Sequence, residues 1–257
     1  MTAASLKSPK SLLITGASSG IGEALALEYA GPAVFLALNG RDEGRLERVA
    51  AACRAKGADV ETARLDVTDR TAMADWVETV DSRMPLDLVI ANAGVSGGTS
   101  GNGESEDQAR KIFDINITGV LNTVFPAIEP MRRRGAGQIA LMSSAAAFRG
   151  FPGAPAYSAT KAAVRCYGEA LRGTLRPDGI HVSVICPGFV RSRMTRVNRF
   201  RMPLLMDADR AARIIRHGLA HDRARIAFPW PTYFVAWLSG SVPPSLSDAL
   251  FARLPKK

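Results

Sequence analysis

The stretch that most constrains this chain lies near its start. An apolar run, Ser11-Leu12-Leu13-Ile14-Thr15, passes directly into Gly16-Ala17-Ser18-Ser19-Gly20-Ile21-Gly22, which opens a helix-like segment. A strand that must turn at once into a helix needs residues that tolerate a tight bend. Glycines supply it, and they let backbone N–H groups approach an anion at the helix N-terminus, where a pyrophosphate would sit. The spacing is G-x-x-x-G-x-G rather than the commoner G-x-G-x-x-G. A plain glycine-rich turn with no ligand is the bland alternative.

The rest of the chain repeats the same alternation. Further strands are predicted at Val34–Leu38, Val60–Leu65, Leu86–Ala91, Gln138–Ser143, Val182–Cys186 and, more weakly marked, Arg225–Phe228. Helix-like segments fall near 21–30, 43–56, 69–83, 106–134, 156–176 and 208–220. Pro126 and Pro130 should bend or break the last turns of the fourth of these. Apolar strands that do not alternate with polar residues are buried on both faces. This predicts an α/β fold, a doubly wound parallel sheet of about seven strands with helices on both sides. The 257 residues suffice for one such domain, and no internal linker or repeat interrupts them. Ser96–Gly103 is glycine-rich enough for a mobile loop after the fourth strand, and loops at that end of such sheets form ligand sites.

Charge and cysteine content narrow the setting. The formal net charge of +9 is spread over scattered arginines with no nucleic-acid module or aromatic platform, so no nucleic-acid partner is expected. Cys53, Cys166 and Cys186 form no C-x-x-C; they sit in predicted helix or strand interiors and read as small hydrophobes suited to a reducing cytoplasm. Met1–Lys10 carries no apolar signal-peptide core, and no run approaches the roughly 20 apolar residues of a membrane span.

Chemistry is suggested by Tyr157-Ser158-Ala159-Thr160-Lys161, with Ser143-Ser144 upstream. On a helix, i and i+4 share a face, so the phenol and the ammonium point into one space. A tyrosine ordinarily holds its proton to about pH 10, and a nearby cation favours the phenolate. Asp66 stands just past the third strand, where it could accept from an adenine amino group; Asp69 reads as a helix cap. Asn92-Ala93-Gly94 follows the fourth strand.

Taken in order, Thr15–Gly22, Asp66, Asn92-Ala93-Gly94, Asn116 in Asp114-Ile115-Asn116-Ile117-Thr118-Gly119, Ser144, Tyr157, Lys161 and Pro187-Gly188 followed by Ser192 resemble a single-domain short-chain dehydrogenase/reductase. The likeness covers about residues 11–192. It implies a Rossmann-like fold, a nicotinamide nucleotide and carbonyl–alcohol chemistry. In such a protein Tyr157 is the general acid/base, and Lys161 lowers its pKa and binds the nicotinamide ribose. Ser144 orients the substrate oxygen, and Asn116 holds a water that relays protons from Lys161. The resemblance implies nucleotide contacts from Gly16, Ser18, Ser19, Gly20, Ile21 and Gly22, then Arg41, Asp66, Val67, Asn92, Ala93 and Gly94. Tyr157, Lys161, Pro187, Gly188, Val190 and Ser192 complete them. Ser192 stands where the family usually has threonine and keeps the hydroxyl. Ser143 reads as structural.

Nucleotide choice turns on Asn39-Gly40-Arg41-Asp42. NAD-preferring members carry an acid where Gly40 stands, and Arg41 matches the phosphate-binding arginine of NADP-preferring ones. Asp42 reads as the cap of the next helix. NADP(H) is therefore favoured over NAD(H).

Past Gly188 the likeness thins, and residues 189–257 are expected to form the substrate lid and a C-terminal helical tail. Phe189–Met202 interleaves five arginines with Val190, Met194 and Val197, which would share a face if helical. A solvated lid over an apolar substrate, a contact for an anionic substrate tail or carrier, and attachment to a membrane surface compete there. The aromatic run Phe228–Leu238, with Leu246–Leu254, suits a helical pair that meets a lipophilic substrate, a membrane or a second copy. A homodimer or homotetramer is expected. His217 and His221 have the i,i+4 spacing of a metal pair, but no third ligand is evident and arginines adjoin them, so no metal is expected. A catalytically silent nucleotide-sensing regulator or scaffold on this fold is the rival reading. The complete Asn116, Ser144, Tyr157 and Lys161 set argues against it. The glycine spacing disfavours sugar-nucleotide epimerase or dehydratase chemistry.

Overall fold

In a computed structural model the described residues are 8–97, 103–198 and 200–243. Strands and helices alternate along the chain: β1 (Ser11–Ile14), α1 (Gly20–Tyr29), β2 (Phe35–Asn39), α2 (Glu43–Ala55), β3 (Asp59–Ala63), α3 (Arg70–Arg83), β4 (Leu88–Ala91) and α4 (Glu106–Phe113). They continue with α5 (Gly119–Arg134), β5 (Gly137–Met142), α6 (Pro155–Leu175), β6 (Ile180–Pro187), α7 (Arg193–Arg196), α8 (Ala208–Ala220), β7 (Arg225–Phe228) and α9 (Trp230–Ser241). Each expected strand is present, within two residues of its expected ends.

The strands form one seven-stranded sheet in the order β3-β2-β1-β4-β5-β6-β7, and every pairing is parallel. The chain reverses direction across the sheet between β1 and β4, and the ligand crevice of such sheets lies at that switch point. Burial explains the apolar runs. Leu12 and Ile14 of β1 join Leu36, Leu38, Leu88 and Ile90 in a core shared with α1, α2 and α8. Leu13 faces the other way, with Phe35, Ala37, Val89 and Ala91, into a core completed by α3, α5 and α6. Successive side chains point to opposite faces of a strand, so burial on both sides requires an unbroken apolar sequence.

Four expectations are corrected. Pro126 and Pro130 do not break α5, which runs to Arg134 with both inside it. They stand four apart on a half-buried side, while Val120, Val124, Ala127, Ile128 and Met131 are buried on the opposite face and hold the helix against two missing hydrogen bonds. The expected segment 106–134 departs from α-geometry earlier, in a π-helical turn at Asp114–Thr118 between α4 and α5. Among its described residues Phe189–Met202 is helical only at Arg193–Arg196, not along an amphipathic stretch. Val190 is buried and pairs with Met206, Val197 is exposed, and Arg191 meets Asp207 at 2.8 Å. Cys166 is exposed, unlike Cys53 and Cys186.

Half of the expected C-terminal helical pair is present as α9; Leu246–Leu254 lies outside the described residues. The helix exposes Trp230, Phe234, Val235, Trp237 and Leu238. No described helix is long and apolar enough to cross a membrane.

Candidate active site

The expected nucleotide-binding and catalytic residues collect at the carboxyl edge of the sheet. Gly16, Ser18, Ser19, Gly20, Ile21 and Gly22 form the turn from β1 into α1, Arg41 follows β2, and Asp66 and Val67 follow β3. Asn92, Ala93 and Gly94 follow β4, Ser144 follows β5, and Pro187 ends β6 ahead of Gly188, Val190 and Ser192. Asn116 lies on the π-helical turn, and Tyr157 and Lys161 lie in the first two turns of α6.

The β1–α1 turn fits a pyrophosphate. Gly16 and Gly20 have φ of +67° and +63°, a region that side chains rarely adopt. A Cβ on Gly22 would fall 2.4 Å from the Gly16 carbonyl oxygen. Asn92 closes the turn from the other side: its Nδ2 donates to Thr15 O at 2.8 Å, and its backbone N–H donates to Thr15 Oγ1 at 3.1 Å. The N–H groups at the start of α1 remain open. Ser19 makes no side-chain cap there, whereas α2, α3 and α4 are capped by Asp42, Asp69 and Ser105. Ser192 approaches the same turn, since a Cβ on Gly20 would meet Ser192 Cβ at 3.0 Å. Its hydroxyl caps α7, accepting from Thr195 N at 3.3 Å.

A cavity of about 490 Å³ opens at the ends of β2 and β3, with Arg41, Asp66, Thr68, Lys111 and Ile115 in its wall. Arg41 stands 3.8 Å from the Asp66 carboxylate. Burial alone would raise the Asp66 carboxyl, but hydrogen bonds from the Thr68 N–H and hydroxyl, with Arg41 and Lys111 nearby, outweigh it and hold the group below its ordinary value. Asp42 is engaged elsewhere, accepting from Arg45 N at 2.9 Å as the cap of α2.

Around Tyr157 the arrangement is compact. The residue is half-buried; burial raises the phenol's pKa, and a hydrogen bond with Ser144 opposes the rise. Lys161 Nζ lies 5.7 Å from the Tyr157 ring centroid and donates to Met142 O at 2.8 Å. Burial pushes the ammonium down to about 8. Burial is the largest influence on both groups. Ser143, next to Ser144, donates to Lys161 O at 2.7 Å and so holds β5 to α6.

Asn116 is fully buried. Its Oδ1 accepts from Val95 N at 2.8 Å, and its Nδ2 donates to Val95 O at 3.0 Å and to Thr160 Oγ1 at 3.1 Å. A Cβ on Gly94 would sit 3.2 Å from Asn116 Oδ1 and 3.3 Å from Lys161 Nζ, so glycine there keeps the two polar groups facing one space. Sequence reasoning missed Thr15 and Thr160 as site residues, although both lie inside motifs it used. It also missed Lys111, and Glu104, whose carboxylate reaches the start of α6; no local signal marks either.

The model of the short chain dehydrogenase family matches residues 10–202. An uncharacterized oxidoreductase of Myxococcus xanthus is 38% identical over 246 residues, covering 95% of this chain and 97% of its own. A short-chain dehydrogenase from Sphingobium yanoikuyae in complex with NADPH superposes with a TM-score of 0.78 at 26% identity, covering 95% of this chain and 96% of that one. One from Mycobacterium paratuberculosis bound to NAD gives 0.77 at 23% identity, over 88% and 98%. With the family model matching residues 10–202 and a relative 38% identical along most of both chains, the chain belongs to the short-chain dehydrogenase/reductase family, oxidoreductases that act on CH–OH groups with a nicotinamide nucleotide.

Proposed function

We propose that the protein interconverts a ketone or aldehyde and an alcohol, using NADP(H), with Tyr157 as general acid/base. The observation that carries this reading is the Tyr157 phenol hydrogen-bonded with Ser144, with Lys161 one turn along the same helix. When bound, the nicotinamide supplies or accepts the hydride. Ser144 donates to the substrate oxygen and holds it beside the phenol. In reduction Tyr157 gives its proton to that oxygen; in oxidation it takes the proton from the hydroxyl. Lys161, titrating near 8, restores charge balance as that proton moves. Asn116 Oδ1 and Lys161 Nζ both border the space beside Gly94, which suits a relay water.

Three features support NADP(H). Arg41 lines the cavity at the end of β2, Gly40 offers no acid to a ribose hydroxyl, and Asp42 is committed to capping α2. The Sphingobium structure holds NADPH and the Mycobacterium paratuberculosis structure holds NAD, so the preference rests on these three features alone. A cytoplasmic homo-oligomer is part of the same proposal, with the exposed apolar face of α9 suited to a second copy. A panel of aldehydes, lipophilic ketones, acyl thioesters and alcohols, assayed with each nucleotide, tests the reading. Turnover of a carbonyl with NADPH supports it. Absence of turnover across the panel, with nucleotide binding intact, would favour the silent regulator.

A further inference from the structure

Helix α6 begins with unmet donors. Ala154 precedes it and has no side-chain oxygen to cap with, and Pro155 has no N–H. The Ala154 N–H is satisfied by Phe151 O at 2.9 Å, and Ser158 N donates to Ala154 O at 3.0 Å. That leaves two donors in the first turn, on Ala156 and Tyr157. One carboxylate takes both. Glu104 Oε2 accepts from Ala156 N at 2.6 Å, and Glu104 Oε1 accepts from Tyr157 N at 3.3 Å.

Glu104 belongs to the segment that leads from β4 into α4, on the far side of the site in sequence. Its stem is held by packing, since a Cβ on Gly97 would come within 3.2 Å of Glu104 Cγ. The same segment is fastened at its other end by the two hydrogen bonds between Val95 and Asn116. A serine or aspartate at position 154 would have capped α6 locally. The remote carboxylate adds registration between the β4–α4 segment and the residue that carries the phenol.

We infer that Glu104 is a positioning residue for Tyr157, setting through the Tyr157 N–H where the phenol stands relative to Ser144. Its hydrogen bonds go to the two backbone N–H groups of α6 rather than to the phenol. The inference rests on the reading of Tyr157 as acid/base and adds a residue to it.

The test compares Glu104→Ala with Asp81→Ala, using the carbonyl turned over fastest in the panel. Asp81 accepts from Leu86 N at 2.9 Å and from Arg134 at 2.7 Å, beyond the amino end of β4 and away from the site, so its loss destabilises without moving Tyr157. Glu104→Ala should lower kcat about 10- to 100-fold while the KM for carbonyl and the Kd for NADPH stay within about threefold, because the defect is one of alignment. Glu104→Gln keeps one acceptor oxygen and should recover part of the rate; it also carries the test if the alanine variant does not fold. Asp81→Ala should lower Tm and leave kcat per folded molecule unchanged. If Glu104→Ala and Glu104→Gln keep the wild-type kcat, or lose no more than Asp81→Ala, the inference is overturned. Tyr157→Phe, assayed alongside, separates the two failures. Inactive Tyr157→Phe with normal Glu104 variants removes only the positioning role, whereas active Tyr157→Phe removes the acid/base reading and this inference with it.

Discussion

The Asn116 side chain and the Val95 backbone pair as two strand residues would, with Oδ1 taking the Val95 N–H at 2.8 Å and Nδ2 giving to the Val95 carbonyl at 3.0 Å. Asparagine alone among small side chains offers that donor and acceptor side by side. Asn116→Asp keeps the acceptor but loses the donor, which leaves the Val95 carbonyl unpaired and places a carboxylate in a buried site. The cost should be about 3 kcal/mol, and it should appear as a lower urea midpoint together with reduced turnover. An unchanged midpoint would show that the clamp contributes little.

Arg41 and Asp66 face each other across 3.8 Å in the wall of the cavity at the ends of β2 and β3. A 2′-phosphate would replace Asp66 as the partner of Arg41 with a charge-assisted contact. Arg41→Ala should therefore raise the KM for NADPH about 10- to 100-fold while changing that for NADH little. Equal effects on both nucleotides would move the specificity away from Arg41.

Much of this was legible before the fold was known, for a physical reason. β1, β2 and β4 are buried on both faces, so Leu12, Leu13 and Ile14 and their neighbours had to be apolar without interruption. The Gly16–Gly22 turn is local, and so is the i,i+4 placement of Tyr157 and Lys161. What stayed hidden is set by contacts between distant segments. Glu104 and Ala156 are separated by 52 residues, and nothing near Glu104 announces a cap. Val190 looked like one face of a helix because its pairing with Met206 depends on how the chain returns after Gly188. Pro126 and Pro130 do not end α5 because packing of its opposite face outweighs their local effect.

Tyr157→Phe removes one oxygen and leaves the ring beneath Lys161 in place. The hydrogen bond with Ser144 disappears, but α6 and the phosphate turn keep their contacts. The variant should fold, bind nucleotide with wild-type affinity by fluorescence titration, and lose turnover about 10²- to 10⁴-fold. Full activity in this variant would sink the acid/base assignment.

Lys161 makes the stability of the protein depend on alkaline pH in a direction that follows from its burial. The ammonium is pushed from 10.5 down to about 8 in the folded chain. Between those values the unfolded chain holds a proton that the folded one has released, so the lysine's contribution to stability rises with pH. Below about 8 both states are protonated, and the folded protein carries the full cost of an enclosed charge, about 3 kcal/mol. Lys161→Met removes the titration and keeps most of the side-chain volume. The unfolding free energy of the wild type, taken relative to Lys161→Met, should climb by about 1 kcal/mol per pH unit from 8 toward 10 and be flat below. Urea unfolding of both proteins at several pH values measures it. Parallel curves through that window would mean that the Lys161 ammonium is better solvated than its burial and its bond to Met142 O imply.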